Sequence, residues 1–381
     1  MARTAGSPLL LALVTAACGG GGGGSSIDAR VDEFDRMAMN ANLIAAVIRP
    51  TYQAFAERAG EIEAAVAAWC EDPEALEGTR AAWRAAMVAW QEAEMMLVGP
   101  AAMNDRALRD VIYSWPTVST CAVDQEVAMV HGDPGGYDIA TRTANRRGLA
   151  ALEYVLFTAS LDHTCPSQLE PPGWDDLSAE QRGAARCAYA RAAAADVAAR
   201  AGEVVSGWEV YAGDLAAGSP QVAANLISDA MFYLDTDTKD MKLAEPAGIA
   251  VNSCGAIEEP CPDELESPHA RHSKENVIAN LTAFRMLYSG DREPGGGGAG
   301  FDDFLGGLGA ADLATAMGAD IDAALVAAEA IPGTLEEAIG ESRDSVVQAH
   351  GAVKAVTDNL KSQFLTVLGL DAPDDAAGDN D

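Results

Sequence analysis

Residues 178–200 read SAEQRGAARCAYARAAAADVAAR. Alanine is the strongest helix former, and no proline interrupts the run. Ser178 followed three residues later by Gln181 is the sequence signature of a capping box, so the spacing predicts a helix that starts at Ala179 and runs to about Tyr211. Alanine is about a fifth of the whole chain, while β-branched and aromatic residues are scarce, which extends the helical reading outward in both directions.

Upstream, Val31, Phe34, Met37, Ala41, Ile44 and Ile48 recur in steps of three and four, predicting a helix within residues 26–68 that Pro50 should end or kink. Further helices are predicted over 73–97, 145–157, 221–236, 274–287 (capped by Ser273), 301–308, 311–330 and 335–368, with Pro332-Gly333 as a turn. Residues 237–268 hold several prolines and glycines and two cysteines, and read as an ordered loop stapled by a disulfide. No hairpin signal occurs. The predicted fold class is all-α: two antiparallel helical-bundle halves, residues 28–212 and 266–370, joined by a connecting helix and Cys-containing loop over 213–265.

The chain has 381 residues, 49% hydrophobic, with 25 Lys or Arg against 58 Asp or Glu, a net charge of −33. That is enough apolar content for a packed core. The acidity argues against a nucleic-acid partner, since phosphate would be repelled. The first 18 residues carry an arginine, then the apolar run Leu9 to Val14, then Ala16-Ala17-Cys18, which reads as a lipoprotein signal with Cys18 as the lipid attachment site. The Gly/Ser run over 19–27 reads as a tether, and the acidic residues 371–381 as a disordered tail. The expected location is the cell envelope, facing the periplasm, with the outer membrane favoured because Gly19 is not an inner-membrane retention Asp. The membrane, through the lipid, is the one partner the sequence names. Six further cysteines, Cys70, Cys121, Cys165, Cys187, Cys254 and Cys261, suggest disulfides in an exported chain, and sequence-local pairing would join Cys254–Cys261, Cys165–Cys187 and Cys70–Cys121.

The chemistry centres on residues 147–157, RGLAALEYVLF. Glu153 lies at helical spacing from Leu149, Leu156 and Phe157, and a carboxylate on an apolar face requires a metal, an arginine or a set of hydrogen-bond donors. Arg109 is the expected partner, because a guanidinium fork suits a desolvated carboxylate. Ala150, one turn earlier, can ligate nothing. His269 and His272 would share a helical face at i, i+3, and with Glu153 they are the candidate metal ligands, although Pro268 and the Ser273 cap argue for loop there. Serine-nucleophile, His-Glu-x-x-His and phosphate-loop motifs do not occur in the sequence.

The stretch resembles the Gly-x-His-x-x-Glu signature of the imelysin family, with Gly148 and Glu153 matching and Ala150 in the His position. Trp83-x6-Trp90-Gln91, Gly99-Pro100, Arg109-Asp110-x4-Trp115-Pro116, Lys242-Leu243-x2-Pro246-x-Gly248, Glu266-Ser267-x5-Ser273 and Asn280-Leu281 also resemble the family, in order along the chain. The resemblance implies a cell-envelope protein of two helical halves with a site at their junction, to which Gly148, Ala150, Glu153, Arg109, Asp110, Trp115, Lys242 and Ser273 are assigned. It implies a link to iron or haem acquisition, or metallopeptidase activity using a divalent metal. With the imidazole replaced by a methyl group, the expectation is a non-catalytic protein that binds a small ligand or an envelope partner; the metal-dependent peptidase is the alternative.

Overall fold

The computed structural model describes residues 34–255 and 257–373; the signal peptide, Cys18, the tether and all of the acidic tail beyond Pro373 lie outside them. Among the described residues every regular element is helical. The first half holds α1 (Arg36–Asn42), α2 (Arg49–Glu71), α3 (Leu76–Glu94), α4 (Met103–Ile112), α5 (Thr120–Gly132), α6 (Leu149–Phe157) and α7 (Ala179–Ala217). After α8 (Pro220–Met231) comes a π-helical segment, Leu234–Ala244. The second half holds α9 (Ser273–Ser289), α10 (Phe301–Gly307), α11 (Ala311–Glu329), α12 (Leu335–Glu341), α13 (Arg343–Asn359) and α14 (Leu365–Leu368).

The capping box at Ser178 forms as its spacing predicts: Gln181 N donates to Ser178 Oγ at 3.2 Å and Ser178 N to Gln181 Oε1 at 2.8 Å. The helix it starts continues past Tyr211 to Ala217 and stops before Gly218-Ser219-Pro220. Along α7, Tyr189, Ala193, Val197 and Val204 are buried, and α2 packs against this face and against α3. Phe55 of α2 meets Trp90 of α3 with ring centroids 4.9 Å apart. In turn α3 packs on α9, so one apolar core runs through both halves.

Pro50 does not end its helix. The preceding turn, Leu43–Ile48, is π-helical, with Arg49 N reaching back to Ile44 O, and Pro50 sits in the first turn of α2. Widening the turn moves the upstream carbonyls away from the proline ring, which would otherwise clash with one of them. Two helices, α4 and α5, lie where none was predicted. In α5 the buried face carries Val123 and Val127 together with Asp124 and Glu126, so its hydrophobic period is broken by buried charge. The loop predicted from Asp237 begins later, because Leu234–Ala244 stays helical.

Two of the expected disulfides are corrected. Cys254–Cys261 forms, but the other bridges are Cys70–Cys187 and Cys121–Cys165. Side-by-side packing of α2 and α7 brings Cys70 and Cys187 to a Cα separation of 5.5 Å despite a sequence separation of 117, so sequence locality was the wrong guide. Peptide mapping without reduction is expected to recover these three pairs. A Cys70→Ala/Cys187→Ala variant is expected to lose about 4 kcal/mol in denaturant unfolding, the entropy of so long a closed loop.

Candidate functional site

Helix α6 is positioned by a glycine. Gly148 has φ +86°, and a Cβ there would meet the carbonyl oxygens of Ile112 and Val111 at 2.6 and 2.8 Å. Only glycine lets α6 begin this close to the end of α4. Residues 149–156 are all buried, Glu153 among them at 2% exposure. Its Oε1 accepts hydrogen bonds from His269 N and Ala270 N, both at 2.9 Å; its Oε2 accepts none. The two amides belong to the segment leading into α9, so the acid ties the first half to the second. Burial pushes the Glu153 carboxyl up from 4.5 to about 8; the two amides pull it down, and the neighbouring Glu266 and Glu336 raise it again.

A cavity of about 170 Å³ opens at this seam. Trp115, Ala150, Glu153 and Tyr154 line it from the first half, and Asp263, Glu264, Glu266 and His269 from the other side. Ala150 presents a methyl group to the wall, 4% exposed.

Behind the cavity lies a buried polar cluster. Lys242, 1% exposed, places its three ammonium protons against Glu266 Oε1 at 2.9 Å, Gln91 Oε1 at 2.5 Å and Asn280 Oδ1 at 2.9 Å. Glu266 Oε1 also accepts from Gln91 Nε2 at 2.8 Å and from the Tyr113 hydroxyl at 2.9 Å. Asn280 Nδ2 donates to the carbonyl and side-chain oxygens of Gln91, both at 2.9 Å. Every donor of the lysine is therefore matched. Glu266 Oε2 has no hydrogen-bond partner.

The expected Arg109–Glu153 pair does not form. Arg109 instead grips Glu94 Oε1 with Nε and Nη2, each at 2.7 Å, and reaches Asp110 at 3.1 Å. Glu94 is fully buried and claims the guanidinium, while two backbone amides satisfy Glu153. Ser273 does not cap α9: its hydroxyl donates to Glu336 Oε1 at 2.6 Å and accepts from Ser267 N at 3.1 Å, fastening the turn before the helix. Trp115 lines the cavity, stacked on Tyr113 at 6.5 Å, and Lys242 lies 5.4 Å over its ring.

His269 and His272 take different neighbours. His269 packs edge-on to Tyr154 at 5.3 Å, and His272 edge-on to Trp83 at 6.0 Å. Burial, with Arg84 nearby, lowers His272 to about 4, and burial also lowers His269, so both rings are held neutral. Among the described residues no group of three or more His, Cys, Asp or Glu could hold a metal ion. With a methyl at residue 150 and Glu153 Oε1 committed to two amides, the residues do not make the donor set of about three protein ligands that a catalytic metal needs.

Gln91, Tyr113, Glu266 and Asn280 were assigned no role from sequence. The available signal was Asn276 and Asn280, four apart on a helix face with Val277, Leu281 and Phe284, where amides need buried partners.

Glu153→Ala leaves two amides without an acceptor and is expected to cost about 2–4 kcal/mol in urea unfolding. Glu153→Gln keeps an oxygen there and should unfold close to the parent at pH 5. The folded carboxyl titrates above the unfolded one, so its contribution is complete below about pH 4.5 and is lost as pH rises toward about 8. The parent is therefore expected to lose stability relative to Glu153→Gln over that window, on the order of 5 kcal/mol, measured as unfolding free energy against pH.

The family model described as Imelysin matches residues 48–363. The chain is 25% identical over 333 residues to "Iron-regulated protein A" of Synechococcus elongatus, covering 84% of each. It is similar in structure to an imelysin-like protein from Psychrobacter arcticum (TM-score 0.67, 18% identity, 92% of this chain and 98% of that one). It is also similar to a putative iron-regulated protein A precursor from Parabacteroides distasonis (TM-score 0.68, 16% identity, 91% and 96%). No described helix is long and apolar enough to cross a membrane. The ordered motifs, the all-helical fold and the span of the family match lead to one conclusion: this chain belongs to the imelysin family.

Proposed function

We propose that this chain is an exported, lipid-anchored, non-catalytic member of its family that holds a small ligand, or a group of an envelope partner, in the cavity between its two halves. The observation that carries the reading is Glu153: a carboxyl 2% exposed, lining a cavity built from both halves, with one oxygen fixed by two backbone amides. Such a group is oriented before any ligand arrives, which lowers the cost of binding. The names of the cyanobacterial relative and of the Parabacteroides structure support iron acquisition as its setting. The sequence around Cys18 supports attachment at the periplasmic face of the outer membrane.

A metallopeptidase needs a metal-activated water held by about three protein ligands. Ala150 removes one, and the remaining candidates do not converge.

Titration of the purified protein with zinc and with ferrous iron is expected to show no stoichiometric tight binding, and casein to remain intact. Tight metal that disappears in Glu153→Gln, or hydrolysis stopped by a chelator, overturns the non-catalytic reading. Cys18→Ser is expected to abolish lipid labelling and to release the protein from the membrane fraction; a variant that stays membrane-bound contradicts the anchor.

A further inference from the structure

The cavity at the seam is lined by four carboxylates, Glu153, Asp263, Glu264 and Glu266, and by no lysine or arginine. Charge alone does not make a site, because carboxylates on a surface are usually solvated. Here two of the four are not: Glu153 and Glu266 are 2% and 3% exposed. Glu266 is held by Lys242, Gln91 and Tyr113, whereas the hydrogen bonds to Glu153 reach its Oε1 and leave Oε2 to the cavity. A carboxyl this buried gains from a donor that reaches its free oxygen. Two aromatic side chains, Trp115 and Tyr154, complete the wall. Lys242 and Arg186 lie over those rings and line none of the cavity. The protons of Lys242 are all engaged by Glu266, Gln91 and Asn280.

From this lining we infer that the cavity takes a small free organic cation, an ammonium or guanidinium head, whose N–H groups reach Glu153 Oε2, which yields its proton to solvent as the cation enters, and the outer carboxylates Asp263 and Glu264 beside the Trp115 ring. The proposal deepens the junction-binding reading and rests on it. Donors carrying positive charge make the stronger hydrogen bonds to carboxylates, and an aromatic wall adds a cation–π contribution. Size sets the class further. About 170 Å³ is close to the ~150 Å³ of a cavity known to hold benzene, so the head has roughly six non-hydrogen atoms. The net charge of −33 raises the local concentration of any such cation.

The test is a chemical-shift titration of the Trp115 indole N–H, assigned with Trp115→Phe, at fixed ionic strength. The probes are methylguanidinium, n-butylammonium, the neutral isostere N-methylurea and the anion propionate. The two cations are expected to saturate with Kd on the order of 1 mM, and the neutral and anionic probes to bind at least about tenfold more weakly. Asp263→Asn/Glu264→Gln, at the exposed side of the cavity, is expected to weaken the cations severalfold while the unfolding curve is unchanged. N-methylurea or propionate binding as tightly as the cations overturns the cationic class and leaves the junction reading standing. No response of Trp115 to any of the four probes overturns both.

Discussion

One carboxylate oxygen accepting two backbone amides across a seam organises this molecule. Glu153 sits on a short buried helix of the first half, and the amides of His269 and Ala270 belong to the turn that launches the first long helix of the second. The turn has few other ways to satisfy those donors. Pro268 has no N–H, and Arg271 has φ +54°, so the chain there is bent away from helix geometry. An acid placed opposite converts an irregular segment into a fixed one. The same turn is fastened from its other side by Ser273 and Glu336. The relative placement of α6 and α9 follows from these contacts, and the cavity follows from that placement.

The cluster behind it obeys a stricter logic. Burying Lys242 and Glu266 as ions is costly, and an apolar replacement of both is often as stable. What the pair provides is specificity. Lys242 comes from the π-helical segment, Gln91 from α3, Glu266 from the loop and Asn280 from α9, and the three ammonium protons find acceptors only if all four elements are in register. A slip of one residue in any of them strands a charge in the core. Apolar packing of α3 on α9 tolerates such slips far more readily, since a hydrophobic contact has no direction.

How much of this was legible in sequence depends on the range of the interaction. The capping box at Ser178 is local, and it forms as the spacing requires. So is the glycine-dependent start of α6, where Gly148 lies directly before the helix. Glu153 could be singled out because one charged residue among Leu149, Leu156 and Phe157 is a local contradiction that demands a partner. Which partner was beyond local reasoning: Arg109 was chemically apt, but Glu94, 15 residues before it in sequence, holds it, and the amides of residues 269 and 270 supply the need instead. Two of the three expected disulfides failed for the same reason, since helix packing pairs residues that the sequence separates, while the local Cys254–Cys261 bridge forms. Helix α5 stayed hidden because Asp124 and Glu126 interrupt its apolar period. Only the folded structure shows that Tyr154 and Thr164 bind the first, and Arg142 and Arg146 the second.

The methyl group of Ala150 bears on function through what it leaves unmatched. A larger polar side chain one turn before Glu153 could reach the same space and engage the carboxyl, and the protein would then be internally satisfied there. With alanine, the wall ends at a methyl, and Glu153 keeps an oxygen facing the cavity beyond the one that the two amides hold. A donor on the cavity's occupant would match that oxygen. An occupant that only accepts hydrogen bonds would face the carboxylates of Asp263 and Glu264, and an apolar one would leave the Glu153 oxygen as it is. A donor of positive charge answers both conditions at once, so the chemistry of the wall constrains the ligand more tightly than its volume does.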